Sequence, residues 1–405
     1  MICRLCRARI DEAFIDLGET PLSNALVDER DAGKREPAYP LRAYVCGTCW
    51  LVQVPEVQPP ETIFGNYVYF SSYSTTWLEH VTRFAREAME RFALSRASLV
   101  IEIASNDGHL LRSFAHAGIG VLGIEPARNI AEAATQAGIP TEVAFFGSAT
   151  ATRLADSGTR ADLVVGNNVL AHVPDTHDFA EGLRIVLKAD GVISLEFPHV
   201  LRMLERGEFD TIYHEHFSYF SLATAARLLS EHGLEVFDAE ELPTHGGSLR
   251  VLAAHRGRRA AGSRPSAIIE QERAAGLTTM EPYRRFAARA EATKRDLLAF
   301  FERCKSENRT VAGYGAPAKA TTLLNYCGIG PAKLPYTVDR SPHKQGKYVP
   351  GVRVPIAAPA KLLETKPDYV LVLPWNIKEE IAEQMAVVKT WGGRFVVPIP
   401  KVALL

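Results

Sequence analysis

Two rhythms of apolar and polar residues run along this chain. Residues 98–105 (SLVIEIAS) form a short β-branched apolar run, the pattern of a buried strand. HLLRSFAHAG (109–118) follows with apolar residues at helical spacing and stops at a glycine. The pair then repeats, with VLGIEP (121–126) as strand and NIAEAATQAG (129–138) as helix. ADLVVGNNVL (161–170) and GVISLEFP (191–198) read as further strands. This alternation predicts an open, mostly parallel sheet and an α/β fold. A helical pattern precedes it, from about Leu78 to Phe92, whereas residues 1 to about 60 show no regular period and are expected to be irregular.

A second α/β series begins after residue 262. Residues 266–305 predict a long charged helix, broken near Pro282. RTVAGYGAPAKATTLL (309–324) reads as strand, glycine turn and helix. LPYTVDRS (334–341), GVRVPI (351–356), PDYVLVLPW (367–375) and GRFVVPIP (393–400) read as later strands.

Composition narrows the class. At 405 residues, two or three domains are expected. Hydrophobic residues at 47% and charged residues at 23% suit a globular protein. A net charge of -1 gives no global field for nucleic acid or an anionic membrane, so neither is expected as a partner. No apolar run approaches the roughly 18 residues of a membrane span, and MICRLCRARI is not a secretory signal, so a cytoplasmic location is expected.

Four of the six cysteines lie near the start. Cys3-x-x-Cys6 and Cys46-x-x-Cys49 form two knuckles with 39 residues between them. Each sets two thiolates on a tight turn, and together they fit one tetrahedral structural Zn²⁺ with no open position for water. Redox dithiols and free thiols are the other readings. Cys304 and Cys327 stand alone and read as buried thiols.

EIASNDGHLL (102–111) follows a strand and opens a helix, yet it is neither a GxGxxG fingerprint nor a P-loop. S-adenosylmethionine has a sulfonium and an amino-acid tail but no pyrophosphate. Asn106, Asp107 and Gly108 suit that cofactor, although a plain turn is also possible. Glu125 ends the next strand, where an acid can accept both ribose hydroxyl hydrogens, a feature shared with NAD sites. The full candidate set is Glu102, Ala104, Asn106, Asp107, Gly108, Glu125, Pro126 and Asn167.

DTIYHEHFSYFS (210–221) concentrates Tyr213, His214, Glu215, His216, Ser218 and Tyr219. Making a carbon nucleophile means removing a proton beside a carbonyl, which needs a base and an enolate stabiliser. Histidine is the natural base. HEH lacks the HExxH spacing of a catalytic zinc site, but a metal and an inert polar loop stay open as readings. GYGAPAK can meet a phosphate with its turn and helix N-terminus, or can be a structural turn.

These motifs, with TPLSNAL (20–26), YVYFSSYS (67–74), NNVLAHV (167–173) and EFPHV (196–200), fall in one order along nearly the whole chain. In that order the chain resembles the nucleotide-sugar 3-C-methyltransferases of deoxysugar biosynthesis. The resemblance implies three domains: zinc-binding at 1–65, Rossmann-like and S-adenosylmethionine-binding at 66–260, and α/β Rossmann-like at 261–405, the last recognising the nucleotide sugar. It implies methyl transfer to C3 of a 4-keto-6-deoxy sugar on a nucleoside diphosphate, commonly dTDP, through an enolate. It also implies a monomer and a setting in antibiotic deoxysugar assembly. By this similarity His216 is the base, Glu215 supports it, and Tyr213 lies beside the sugar. Asn168 and His172 polarise the keto oxygen, Tyr67 covers the site, and Tyr314, Gly315 and Lys319 bind substrate. Tyr67 and His172 could instead serve packing alone. Methylation of a non-sugar carbonyl compound, and a non-catalytic zinc-containing binding protein, are the competing functions.

Overall fold

The computed structural model describes residues 1–65 and 75–405. The chain forms two compact units, each woven from separated segments. The first comprises Met1–Asp11, Val45–Leu201 and His216–Thr278; the second comprises Glu12–Tyr44, Arg202–Glu215 and Thr279–Leu405.

The first unit is built on a seven-stranded sheet. Its strands are β1 (Leu99–Ile103), β2 (Gly120–Ile124), β3 (Thr141–Glu142), β4 (Ala161–Asn167), β5 (Leu187–Pro198), β6 (Leu234–Leu242) and β7 (Ser248–His255). Their spatial order is β6-β7-β5-β4-β1-β2-β3. β1 pairs in parallel with both β2 and β4, so the strand order reverses at β1 and β4. That switch point is where open α/β sheets bind ligands. β7 runs antiparallel to both β5 and β6.

Apolar periodicity explains the helices that cover this sheet. In α1 (Thr75–Arg91), Val81, Phe84, Ala85 and Ala88 recur at helical spacing and are all buried. They share a core with Leu111 and Phe114 of α2 (His109–His116). Burying one such phenylalanine stabilises the unit by roughly 1.5–3 kcal/mol. α3 (Leu222–Glu231) starts with a capping box of Ser221 and Thr224. The carboxylate of Glu272 also accepts from the amides of Leu222 and Ala223 at 2.5 and 3.0 Å, and the Nε2 of His199 lies 2.7 Å from it.

The second unit has a six-stranded sheet: β8 (Val311–Tyr314), β9 (Thr337–Val338), β10 (Ile356–Ala357), β11 (Tyr369–Val372), β12 (Arg394–Val397) and β13 (Ala403–Leu404). The order is β10-β9-β8-β11-β12-β13, parallel except for the final pair, with its switch point between β8 and β11. This is a Rossmann-like strand order. Its long helix α4 (Glu281–Ser306) buries Tyr283, Phe286, Leu297 and Phe301, and α5 (Ala318–Cys327) follows β8.

The structure alters one expectation and bears out another. Residues 1 to 60 are not irregular, because Ala13–Thr20 and Tyr39–Val45 pair antiparallel. Ile15, Leu17 and Thr20 face inward there, while Asp16 on the outer face meets Arg42 at 2.7 Å. The helical stretch at 266–305 is broken near Pro282 as expected, into Arg264–Ala274 and α4. Pro282 lies in the first turn of α4, where a missing N–H costs nothing. The break falls just before it.

Candidate active site and metal centre

The first unit gathers the predicted cofactor residues at the carboxyl ends of β1, β2 and β4. After β1 the backbone turns through three positive-φ residues, Ala104 (53°), Asn106 (50°) and Gly108 (72°). Gly108 is required there twice over: a Cβ would also stand 3.0 Å from Ile139. Glu125, just past β2, accepts from the amide of Asn106 at 3.0 Å and from that of Ala127 at 2.9 Å. The acid thus fixes the turn and keeps one lone pair per oxygen for a diol. Burial raises the Glu125 carboxyl despite these two donors. Glu102 is buried on β1, and burial, then the nearby Asp107 and Glu125 charges, raises its carboxyl well above the usual range. One Glu102 oxygen has no partner among the described residues, and neither does the Oδ1 of Asn167 at the end of β4. A group with a cationic centre and a diol fits this orphaned, electronegative lining.

The same unit brings three predicted catalytic residues into one neighbourhood. Asn168 follows β4 with φ at 53°, and its amide donates to the carbonyl of Glu196 at 2.7 Å. The turn Leu170–His172 then presents His172, whose ring meets His216 edge-on at 4.7 Å between centroids. Tyr219 packs on His216 at 5.7 Å and Phe64 on His172 at 5.4 Å. The amide of Phe217 donates to the carbonyl of Ala171 at 2.8 Å, locking the two segments together. Tyr67 lies outside the described residues.

Tyr213, His214 and Glu215 belong to the second unit. Both oxygens of the buried Glu215 carboxylate accept from Asn24 Nδ2, at 2.8 and 2.9 Å. His214 is fully buried with its Nε2 3.2 Å from the carbonyl of Pro40, and burial lowers its pKa. Asn24 was not singled out by sequence; its only signal is a lone amide inside the apolar TPLSNAL.

In the second unit the carboxyl end of β8 holds Tyr314, Gly315 and, on α5, Lys319. Gly315 has φ at 88°, and a Cβ on it would lie 2.5 Å from Pro374. Tyr314 is buried, and its hydroxyl has no partner among the described residues. The Lys319 ammonium donates to Asn376 Oδ1 at 2.7 Å and stands 4.3 Å from the centre of the Trp375 ring.

The four N-terminal cysteines converge, with all thiol sulfurs within 4.8 Å of one another. Cys3 lies 3.5 Å from Cys49 and Cys6 lies 3.5 Å from Cys46, too far apart for disulfides. Tetrahedral Zn²⁺ at about 2.3 Å from each sulfur needs edges of about 3.8 Å. The two knuckles repeat one conformation. The amides of Arg7 and Trp50 donate to the carbonyls of Cys3 and Cys46, and those of Cys3 and Cys46 donate to Ala8 and Leu51. Arg7 and Trp50 both take positive φ, at 62° and 65°. Gln53 Nε2 adds a donor to Cys3 Sγ at 3.3 Å, which favours a thiolate. The quartet fits a closed zinc site.

Family models match three stretches: a zinc binding domain at 3–64, a methyltransferase domain at 77–239, and a C-methyltransferase C-terminal domain at 243–400. The protein named C-methyltransferase NovU from Streptomyces niveus is 38% identical over 405 residues, spanning 98% of this chain and 95% of its own. Among solved structures, magnesium protoporphyrin IX methyltransferase from Synechocystis PCC 6803 with bound S-adenosylmethionine is 17% identical with a TM-score of 0.34, over 44% of this chain and 79% of its own. The PH0226 protein from Pyrococcus horikoshii OT3 is 13% identical with a TM-score of 0.39, over 48% and 98%. Both scores are too low to bear on the site.

Proposed function

The chain belongs to the S-adenosylmethionine-dependent C-methyltransferases, and on that premise we propose that it methylates C3 of a dTDP-linked 4-keto-6-deoxy sugar through an enolate, in deoxysugar biosynthesis. The observation that carries this reading is the meeting of His172 and His216 at 4.7 Å in the unit that also holds the cofactor turn. In the proposed division, 1–65 binds zinc, 66–260 binds the cofactor, and 261–405 recognises the nucleotide sugar.

S-adenosylmethionine supplies an electrophilic methyl group. The chain's own part is proton removal and charge stabilisation. Neutral His216 takes the proton from C3, and the C–H electron pair moves to form the C3–C4 double bond while negative charge gathers on the C4 oxygen. Asn168 and His172 face that oxygen. Glu215, oriented by Asn24, supports the base, Tyr213 lies beside the sugar, and Tyr67 covers the site. Glu102, Ala104, Asn106, Asp107, Gly108, Glu125, Pro126 and Asn167 hold the cofactor. Tyr314 and Gly315 meet the nucleotide.

Mass spectrometry after incubation with S-adenosylmethionine and a panel of dTDP-4-keto-6-deoxy sugars tests the reading. A product heavier by one methyl group is expected, with exchange at C3 in D₂O. Methylation of non-sugar ketones alone, or transfer without any C–H exchange, would overturn the assigned substrate or the enolate.

A further inference from the structure

The second unit holds three ionisable side chains that take no part in the proposed proton transfer: Glu208 and Asp210, both buried, and Lys319, half-buried on α5. Asp210 is completely buried in the turn Phe209–Thr211, and one of its oxygens accepts from Trp375 Nε1 at 2.7 Å. Its other oxygen has no hydrogen-bond partner among the described residues. Lys319 interacts electrostatically with both Asp210 and Glu208, and its ammonium is held by Asn376 and the Trp375 ring. Trp375 therefore touches both members, its N–H on the acid and its π face on the base. Burial pushes Glu208 up to about 8 and Asp210 up to about 6, and it lowers Lys319 although both acids act to raise it. Lys319 thus has partners inside the unit, and a role in holding the 208–215 segment competes with the substrate-binding role the sequence resemblance implies.

The same turn leads directly into the catalytic stretch. Phe209 packs edge-on against Tyr326 of α5 at 5.3 Å. The hydroxyl of Thr322, also on α5, donates to the carbonyl of Ile212 at 2.8 Å. Asn24 takes the far end at Glu215. Asp210 anchors this track three residues before Tyr213. We propose that Asp210 and Lys319 are positioning residues, joined through Trp375, that hold the 208–215 segment, and with it Tyr213 and Glu215, in a single register. The inference rests on the proposed roles of Tyr213 and Glu215.

A double-mutant cycle tests it, using D210N, K319M and the double variant, with W375F as a milder probe that keeps a smaller aromatic face but removes the donor. The readouts are kcat, KM for the nucleotide sugar, affinity for dTDP and Tm. Each single change should lower kcat about 10- to 100-fold with KM and dTDP affinity nearly unchanged, since geometry is lost and binding is not. D210N/K319M should recover about tenfold of that loss, because a lone buried charge is worse than none. W375F should lower kcat in the same sense, and it decides the case if the charge variants do not fold. A loss of dTDP affinity confined to K319M would make Lys319 a phosphate ligand and overturn the proposal. So would normal kcat with lowered Tm alone, or singles whose effects simply multiply. If the wild type methylates none of the panel, the substrate reading fails by itself. The pair is then decided by Tm: coupled losses sustain it and additive losses overturn it.

Discussion

His216 is buried against two rings, His172 at 4.7 Å and Tyr219 at 5.7 Å, and these contacts limit the directions in which its imidazole can accept a proton. Replacing it with Gln keeps much of the volume and removes the proposed base. H216Q should lower kcat by about 10²–10⁴-fold, with S-adenosylmethionine affinity by calorimetry close to wild type. Turnover at the wild-type rate would take His216 out of the base role. Glu208 carries a different prediction. Burial raises its folded pKa to about 8, above an unfolded value of about 4.3. The folded state therefore holds the extra proton, so Glu208 costs stability as pH rises from about 4.3 to 8 and costs nothing below that window. Urea melts of E208Q should lose less stability between pH 5 and pH 8 than melts of the wild type. Parallel losses would mean that the carboxyl titrates as it does in the unfolded chain.

At the scale of elements, two glycines of the second unit separate backbone strain from close approach. Both have positive φ, 80° at Gly18 and 88° at Gly315. A Cβ on Gly18 meets nothing within 4 Å, whereas one on Gly315 meets Pro374 at 2.5 Å. Gly18→Ala should cost about 1–2 kcal/mol, and Gly315→Ala on the order of 2–5 kcal/mol, in urea melts. Equal costs would show that Pro374 moves aside. The turn around Gly315 was legible because strand, glycine and helix follow in sequence. So were β1, β2, β4 and β5, whose apolar runs are continuous because both faces of a parallel sheet are covered. The strands Ala13–Thr20 and β6 were not read. AFIDLGET carries its acids on exposed positions, LEVFDAEEL has four acids of which Asp238 is buried, and alternation over so few residues is a weak signal. At the site, the cysteine quartet and the cofactor turn could be read because their residues are contiguous or paired by spacing. Asn24 and Glu215 are 191 residues apart, and Trp375 and Asp210 are 165 apart, so only the fold reveals those bonds.

At the scale of the whole molecule, the zinc site lies far in sequence from the proposed chemistry yet belongs to the same unit as His216. Arg4 sits inside the first knuckle. Its guanidinium donates to the carbonyl of Phe217 at 2.9 Å, and its amide donates to Gln53 Oε1 at 3.0 Å. Gln53 in turn donates to Cys3 and pairs in antiparallel register with Ser218. The strand that leads out of His216 is therefore held by the knuckle on two sides. A second contact runs from the carbonyl of Leu5 to His177 Nε2 at 2.8 Å, reaching a helix of the cofactor fold. Without zinc, the thiolates repel and the knuckle has only short hydrogen-bonded turns to keep its shape. The residues proposed to hold S-adenosylmethionine lie at the carboxyl ends of the central strands, outside the knuckle. Chelation under reducing conditions should thus lower Tm and reduce kcat by about 10²-fold, the cost of a displacement of roughly 1 Å at the base, while cofactor affinity stays near wild type. R4M should reproduce part of the kcat loss with full zinc content, because it cuts the link to Phe217 and leaves every thiol in place. Cofactor affinity that falls in step with kcat would mean that zinc supports the whole unit rather than the segment bearing His216.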